Sequence, residues 1–292
     1  MGTQWRLSVL SPPDRIAEGV QAVLNRVVMQ MSQWEPESDI SRFNRSAPSC
    51  WVMLPPEFVT VLETALAISA KSGGAFDPAM GALTDMWGFG PARPPVRTPD
   101  AETITLAMAA RGTVELDSLG LRARRTGKAR LDFSGIAKGY GVDLVAEWLL
   151  AQGVRHFLIE VGGELRGHGL RPDRQPWWAD IELPPGVTLP PLRVALHEMA
   201  IATSGDYRRW LDVDGRRHSH SIDPRNGQPI ANGVRSVTVL HSRCMLADAW
   251  ATALTVLGPE AGMALARSEG LAVQMVTTEE EYISPALREM LD

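Results

Sequence analysis

Apolar side chains recur at helical spacing in two stretches near the start of the chain. The second stretch begins at Pro55-Pro56 and is stopped by Gly73-Gly74, since proline is tolerated in the first turn of a helix and glycine commonly follows its end. The first opens after Pro12-Pro13-Asp14 and runs to about Met31, with an apolar stripe formed by Ile16, Val20, Val23, Leu24, Val27 and Val28. Both patterns predict helices that pack against a core.

Further along, β-branched and aromatic runs alternate irregularly with helical segments. Helices are predicted from Gly139 to Gln152 and around Asp248. Strands are predicted at Trp5–Leu10, Phe157–Val161, Trp178–Leu183 and Val234–Leu240. Because the spacing between the helices is too irregular for a repeated βαβ unit, this order favours an α+β fold with helices packed on a mainly antiparallel sheet.

A stretch rich in glycine and proline, from Gly88 to Pro99, can be neither a helix nor a central strand. It is the predicted position of an internal joint, near 88–99, within a single domain that spans residues 1–292. Beyond it lies a basic cluster, interpreted as a hairpin that turns at Thr126-Gly127 and carries Arg122, Arg124, Arg125, Lys128 and Arg130 on its outer side.

Composition narrows the class of protein. The chain has 292 residues, 45% hydrophobic side chains and a formal net charge of −5, which together indicate a globular protein and argue against a nucleic-acid partner. No apolar run is long enough to span a membrane, and the first residues do not form a leader peptide. We therefore expect a cytoplasmic protein, or a periplasmic one if a leader lies upstream of this sequence.

Cysteine and tryptophan are assigned to the core. Cys50 and Cys244 have no metal-ligand spacing and are predicted to be buried thiols. Most tryptophans are interpreted as core anchors, namely Trp51, Trp87, Trp177, Trp178, Trp210 and Trp250.

The strongest chemical signal is a carboxylate and a hydroxyl spaced i, i+4. On a helix, Asp248 and Thr252 face the same way and can offer oxygen to one hard cation, as Mg²⁺ at a phosphate site prefers. The alternative is that Asp248 is only a helix N-cap. Upstream, His220 lies in a turn punctuated by proline and glycine, where it is either a general base or a hydrogen-bonded turn residue.

Three glycine-rich loops are candidates for phosphate binding, and each also fits an ordinary tight turn. None matches the Walker or dinucleotide-binding pattern. In the loop Gly135 to Gly139, exposed N–H groups at a helix start would favour an anion. The other two are Ser72 to Pro78 and Val161 to Glu164.

Nine motifs in the same order resemble the ApbE-type flavin transferases, the FAD:protein FMN transferases. The resemblance covers the chain from Met1 to about Gly258. The motifs are Met1-Gly2-Thr3, Ser38 to Asn44, Gly73 to Pro78, Trp87 to Gly90, Asp132 to Tyr140, Val161 to Glu164, Ala202 to Tyr207, the His220 turn and the Asp248 helix.

The resemblance implies an enzyme that moves FMN from FAD onto a Thr or Ser hydroxyl of an acceptor protein, with Mg²⁺ required and AMP released. It also implies two lobes with a flavin cleft between them. By similarity, Mg²⁺ is held by the side chains of Asp248 and Thr252 and the carbonyl of Gly135, a position that is usually Ala or Thr in the family. His220 is the implied proton acceptor, with Asp248 as the alternative. The implied FAD contacts are Met1, Trp34, Ala75, Phe76, Asp77, Asp132, Lys138 and Ile222.

Two other functions remain open. One is Mg²⁺-dependent hydrolysis of FAD to FMN and AMP, in which water replaces the acceptor hydroxyl. The other is a non-catalytic FAD-binding or assembly protein that keeps the flavin cleft. Retention of Asp248, Thr252 and His220 together favours an enzyme.

Overall fold

The computed structural model describes residues 3–92, 97–207, 210–213 and 216–291. Within these ranges the helices are α1 (Ile16–Met31), α2 (Asp39–Arg45), α3 (Pro56–Lys71), α4 (Gly81–Met86), α5 (Ala101–Ala109), α6 (Ala137–Ala151), α7 (Cys244–Ser268) and α8 (Pro285–Leu291). The strands in the same ranges are β1 (Trp5–Val9), β2 (Val52–Met53), β3 (Val114–Asp117), β4 (Arg122–Arg125), β5 (Phe157–Val161), β6 (Glu164–His168), β7 (Trp177–Asp180), β8 (Arg193–Leu196), β9 (Ala200–Gly205), β10 (Trp210–Val213), β11 (Arg216–Ser219), β12 (Ile222–Asp223), β13 (Gln228–Pro229), β14 (Val234–His241), β15 (Ala272–Thr277) and β16 (Glu281–Ile283).

The chain divides into two compact units, each assembled from separate segments. The first comprises Met1–Arg26, Gly135–Arg208 and Asn232–Asp292, and the second comprises Val27–Ser134 and Arg209–Ala231. The stretch from 88 to 99, predicted to be a joint, lies inside the second unit, and its residues 93–96 fall outside the described ranges. The single domain spanning residues 1–292 stays a prediction.

A large antiparallel sheet forms the first unit. Within the described residues it has the strand order β1-β5-β6-β9-β14-β15-β16, and every neighbouring pair is antiparallel. The predicted α+β class, with helices on a mainly antiparallel sheet, is therefore confirmed. The longest strand, β14, lies between β9 and β15 and is buried over most of its length, as expected for a strand covered on both faces.

Side chains of this sheet alternate between two apolar clusters. Phe157, Ile159 and Val161 point from β5 into a cluster with α1 and α6. On the other face, Leu158 and strand residues such as Ile201 pack with β7, β8 and α8. The helical stripe predicted for α1 supplies Val20, Val23 and Leu24 to the first cluster, so burial of this stripe holds the helix to the sheet.

The basic cluster belongs to a small sheet of the second unit, ordered β2-β4-β3. Its arginines are paired within the sheet: Arg122 with Asp117 at 2.8 Å and Arg124 with Glu115 at 2.6 Å. A turn does lie at Thr126-Gly127, where the N–H of Ala129 donates to the carbonyl of Thr126 at 3.1 Å. It does not close the hairpin, however, because β3 and β4 are joined through residues 118–121. There the Asp117 carboxylate accepts the N–H of Gly120 at 2.9 Å and so closes the turn.

Several core predictions also need correction. Cys244 is buried, but Cys50 is exposed. Both guanidinium groups of Arg122 and Arg124 lie 4.9 Å from the ring centre of the half-exposed Trp51, so this ring is a surface platform and not a core anchor. Trp178 and Trp210 are likewise exposed, whereas the remaining three tryptophans assigned to the core, Trp87, Trp177 and Trp250, are buried. No helix in the described part of the chain combines the length and the apolar character needed to cross a bilayer.

Candidate functional site

Asp143 of α6 fixes the start of the helix that carries the candidate metal ligands. Its two carboxylate oxygens accept the backbone N–H groups of Cys244 and Met245, both at 2.9 Å. The N-cap residue itself, Arg243, makes no capping hydrogen bond with its side chain. A carboxylate at this end satisfies N–H groups that have no partner within the helix and complements the helix dipole. Asp143 therefore anchors α7 to α6.

Asp248 lies in the second turn of α7, so the alternative that it is an N-cap is wrong. Its Oδ2 accepts the backbone N–H of Gly139 at 3.0 Å. The two helices come close at this point: a Cβ added to Gly139 would lie 2.8 Å from the Asp248 Cβ. Burial raises the pKa of the Asp248 carboxyl, against the opposing effects of Lys138 and the Gly139 N–H. The positive groups around the buried carboxylate therefore do not fully offset the effect of burial on its pKa.

Thr252 follows one turn later on the same side of α7. Its Oγ1 lies 3.2 Å from the Oγ of Ser204 on β9, and a Cβ added to Gly135 would lie 2.7 Å from that same Oγ1. The backbone at Gly135 therefore passes directly against the Thr252 hydroxyl. Together with Asp248, these groups supply a carboxylate, a hydroxyl and a backbone carbonyl, which are oxygen donors of the kind Mg²⁺ prefers.

The described residues contain no group of three or more His, Cys, Asp or Glu arranged to hold a metal ion. A cation beside Asp248 would consequently have few protein ligands and keep water in its remaining positions, as Mg²⁺ does at phosphate sites. The donor set fits Mg²⁺ on these grounds, and a cation there would offset the charge that burial disfavours on Asp248.

The turn between β5 and β6 brings a second buried carboxylate to the first turn of α6. Val161 pairs with Glu164 across a two-residue turn, in which Gly162 and Gly163 have φ of 64° and 102°. Two positive φ angles in succession characterise the tight hairpin turns that glycine favours, so this glycine pair is a hairpin turn. Glu164, at the start of β6, forms an ion pair with Lys138, and its side chain is only 2% exposed.

Lys138, Glu164 and Asp248 influence one another electrostatically. Burial raises the pKa of Glu164 to about 7, although Lys138 acts to lower it. Burial alone would lower the pKa of Lys138, but the two carboxylates outweigh that effect and raise it. Among the described residues, Glu164 Oε2 has no hydrogen-bond partner. One ammonium group therefore serves two buried carboxyl groups.

In the second unit, the loop after α3 buries Ala75 and Phe76, which are 1% and 4% exposed. The N–H of Phe76 donates to the Ser72 Oγ at 3.1 Å, which folds the loop back on the helix end. Asp77 forms an ion pair with Arg111. These contacts show how the predicted Ala75-Phe76-Asp77 segment is held, and they identify Arg111 as a partner that the sequence did not indicate.

Arg111 also connects this loop to the turn that contains His220. Its second guanidinium nitrogen donates to the carbonyl of Pro224, four residues after His220. In the same turn, the Asp223 carboxylate accepts from the Arg225 guanidinium at 2.8 Å. The structure therefore brings together two segments that the sequence separates by more than a hundred residues.

His220 and Ile222 lie against an aromatic cluster of the second unit. The His220 ring is edge-on to Phe89, with ring centres 6.3 Å apart. Ile222 is 2% exposed and packs with Trp87, Phe89 and Ile104. The Trp87 indole N–H donates to the carbonyl of Gly227 at 2.8 Å, which ties this cluster to the same turn. Burial of Ile222 thus fixes the backbone two residues beyond His220.

The remaining predicted flavin contacts occupy different surroundings. The Asp132 carboxylate accepts from both the N–H and the hydroxyl of Ser134, at 2.8 and 2.6 Å, and its own N–H donates to Pro78 at 2.8 Å. Trp34 is half-exposed, which leaves its ring accessible to a ligand. Met1 lies outside the described residues.

Each unit contains a distinct subset of the predicted site residues. In the first unit these are Gly135, Lys138, Asp248 and Thr252. In the second unit they are Trp34, Ala75, Phe76, Asp77, Asp132, His220 and Ile222.

Comparison with known proteins gives a consistent result. A family model described as the ApbE family matches residues 1–275. An FAD:protein FMN transferase of Vibrio cholerae is 37% identical over 307 residues, which cover 100% of this chain and 90% of that protein. The protein of the same name from Escherichia coli K12 is 33% identical and is matched over 100% of this chain and 87% of its own length.

Solved structures are similar over nearly the whole chain. The flavin transferase ApbE from Vibrio cholerae matches with a TM-score of 0.91 and 36% identity, covering 99% of this chain and 96% of that one. The ApbE protein from Thermotoga maritima matches with a TM-score of 0.87 and 29% identity over the same shares. Sequence, fold and length agree, and the chain therefore belongs to the ApbE family of enzymes.

Proposed function

We propose that this enzyme transfers FMN from FAD to a Thr or Ser hydroxyl of an acceptor flavoprotein, in a Mg²⁺-dependent reaction that releases AMP. One observation carries the proposal: the Gly139 N–H binds the buried Asp248 carboxylate, and the backbone at Gly135 passes against the Thr252 hydroxyl one turn further along the same helix. The relatives of this chain are named FAD:protein FMN transferases. Displacement at a phosphorus of FAD needs this kind of charge neutralisation.

The reaction balances as a simple displacement. The acceptor oxygen forms a bond to the phosphorus of the FMN half, the bond from that phosphorus to the bridging oxygen breaks, and AMP leaves with the bridging oxygen. The acceptor hydroxyl gives its proton to a base. We assign this base to His220, and Asp248 is the rival because burial raises the pKa of its carboxyl.

Mg²⁺ would be held by the side chains of Asp248 and Thr252 and the carbonyl of Gly135. When bound, it would neutralise charge on the phosphate oxygens of FAD. The chain's own part is to hold these oxygens in place: the Gly139 N–H orients the Asp248 carboxylate, and Ser204 lies beside the Thr252 hydroxyl.

The proposed FAD contacts are assigned within each unit separately. Lys138, near the start of α6, offers a cation to the phosphates. In the second unit we assign flavin contacts to Trp34, Ala75, Phe76, Asp77, Asp132 and Ile222, and Met1 completes the proposed set. The exposed Trp34 ring is suited to stacking on a planar ring system.

The decisive experiment follows AMP release and the mass of a Thr-bearing acceptor domain, with FAD and Mg²⁺. A transferase releases AMP slowly with FAD alone and faster with acceptor, because a positioned hydroxyl gains a large advantage over water. The acceptor gains one FMN mass that survives denaturation. Fast AMP release that ignores the acceptor would favour the hydrolase. Tight FAD binding without any AMP would favour the carrier.

Two variants separate the roles of the proposed residues. Asp248→Asn removes one carboxylate charge and is expected to lower turnover by about a hundredfold or more with the fold intact. Glu260→Gln, which removes the same charge from an exposed position on α7, is the matched control and should leave turnover unchanged. His220→Ala should bind FAD but transfer slowly. Weak binding with normal turnover of the bound complex would mean that His220 only shapes the pocket.

A further inference from the structure

We propose that Glu164 is a positioning residue that acts through Lys138: it holds the Lys138 ammonium group, so that the Asp248 carboxylate keeps its negative charge for a cation. The inference rests on the proposed function, because it assigns a task to a neighbour of the proposed metal site. Glu164 was not among the site residues that the sequence indicated.

The backbone leaves the Glu164 side chain little freedom. Glu164 is the first residue of β6, directly after the two-residue turn, and it pairs with Val161 across the hairpin. The next residue, Leu165, pairs with Ile201 of β9, so the strand is fixed on both sides. The side chain is 2% exposed and cannot reach solvent without moving this strand. The carboxylate is therefore presented to Lys138 by a rigid element.

The charges explain why such a partner is needed. Lys138 directly precedes Gly139, whose N–H donates to the Asp248 carboxylate at 3.0 Å, and it forms an ion pair with Glu164, so its charge acts on both carboxylates. Above its pKa of about 7, Glu164 is charged. One cation and two carboxylates then leave a net charge of −1, and the Glu164 ion pair holds the ammonium group. Without the Glu164 charge, Asp248 is the remaining carboxylate that acts on Lys138. The ammonium group would then neutralise Asp248 and compete with a metal cation.

The surroundings of Glu164 argue against a purely stabilising role. Among the described residues its Oε2 has no hydrogen-bond partner, although the side chain is buried. An unsatisfied buried oxygen is costly, and replacing a buried ion pair by neutral side chains is often neutral or stabilising. A structural role predicts that loss of the pair lowers stability. A positioning role predicts that loss of the pair weakens cation binding without lowering stability.

The test measures Mn²⁺ binding to the full chain by electron paramagnetic resonance, with FAD affinity from flavin fluorescence and the melting temperature alongside. Glu164→Gln, which keeps the shape but removes the charge, is expected to weaken Mn²⁺ binding about tenfold. Glu160→Gln, on β5 beside the same hairpin, removes the same charge from a partly exposed position and should bind Mn²⁺ as the unaltered protein does.

The double variant Glu164→Gln with Lys138→Met is the critical measurement. It removes the competing ammonium group and restores the net charge of −1, so Mn²⁺ affinity should return to within about twofold of the unaltered protein. FAD affinity should be lower in this double variant than in the unaltered protein, because Lys138 is proposed to contact FAD. Recovery of Mn²⁺ binding without Lys138 shows that Glu164 acts through it.

Several results would overturn the inference. One is normal Mn²⁺ binding by Glu164→Gln, and another is a double variant that binds no better than Glu164→Gln alone. A lower melting temperature in both variants would make Glu164 structural. FMN transfer by the unaltered protein tests the proposed function separately. If the unaltered protein transfers FMN but does not bind Mn²⁺, only the inference about Glu164 is wrong. If the variants show the expected Mn²⁺ affinities but the unaltered protein transfers no FMN, only the proposed reaction is wrong.

Discussion

Gly139→Ala should lower both the stability and the turnover of the protein, although alanine is the better helix former. Gly139 lies in the first turn of α6, where α6 meets α7. An added Cβ would lie nearest to the carbonyl oxygen of Cys244, 2.7 Å from the carbonyl carbon of the same residue and 2.8 Å from the Cβ of Asp248. These are atoms of the neighbouring helix, and the carbonyl cannot rotate away as a flexible side chain can. The substitution therefore requires the helices to separate.

The magnitude follows from these distances. An ordinary contact needs at least 3.4 Å, so the contact at 2.7 Å alone requires a separation of about 0.7 Å, and the nearer carbonyl oxygen of Cys244 requires more. Overpacking of this kind costs about 1–3 kcal/mol, whereas the gain in helix propensity from Gly to Ala is at most about 1 kcal/mol. We expect a net loss of roughly 1–2 kcal/mol in the free energy of unfolding. The same displacement stretches the 3.0 Å hydrogen bond from Gly139 to Asp248, so turnover should fall as well.

Gly262→Ala is the matched control, because Gly262 lies in α7 and the nearest atoms to an added Cβ are 3.1 Å away. One of them is the flexible end of Met275, which can move. We expect stability within about 0.5 kcal/mol of the unaltered protein. Urea unfolding and AMP release measure both variants. If Gly139→Ala unfolds at the same urea concentration as Gly262→Ala and turns over normally, the proposed close packing of α6 on α7 is wrong.

Three further predictions use other contacts of the structure. Arg111→Met removes the partner of Asp77 and should lower the free energy of unfolding by about 1–3 kcal/mol; an unchanged urea midpoint would contradict it. Asp143→Ala leaves the first N–H groups of α7 without their carboxylate and should cost about 1–3 kcal/mol, measured in the same way, with no loss expected for exposed Asp180→Ala. The pKa of Glu164 is raised from 4.5 to about 7 in the folded state, so the folded state binds more protons and its stability should fall as pH rises through this range. In Glu164→Gln this part of the pH dependence should be absent, and an identical pH profile for both proteins would exclude it.

Much of the fold can be predicted from local signals in the sequence. The apolar stripe of α1, the helix between Pro55-Pro56 and Gly73-Gly74, and strand β5 are found where their patterns predict them. The spacing of Asp248 and Thr252 also survives, because a helix converts an i, i+4 interval into a shared face whatever surrounds it. These features depend on residues that are close in sequence, so sequence patterns are enough to predict them.

Features that depend on distant partners were missed. Asp143 caps a helix that starts 101 residues later, and Arg111 joins segments on either side of it in sequence. Neither residue belongs to a local sequence pattern that would indicate these contacts. The Val161 to Glu164 motif could be interpreted as a turn from the sequence. The ion pair between Glu164 and Lys138 could not, because it forms only when the hairpin places Glu164 beside α6.

The segmented first unit has a consequence for the order in which the protein is made. Its last segment, Asn232–Asp292, supplies β14, β15 and α7, whereas the second unit ends at Ala231. During synthesis all of the second unit emerges before the strand that pairs with β9. Asp248 and Thr252 belong to that segment, so the proposed oxygen donors are complete only after the whole second unit has emerged. A nascent chain thus contains the proposed flavin contacts of the second unit before it contains the two side chains proposed to hold a metal ion.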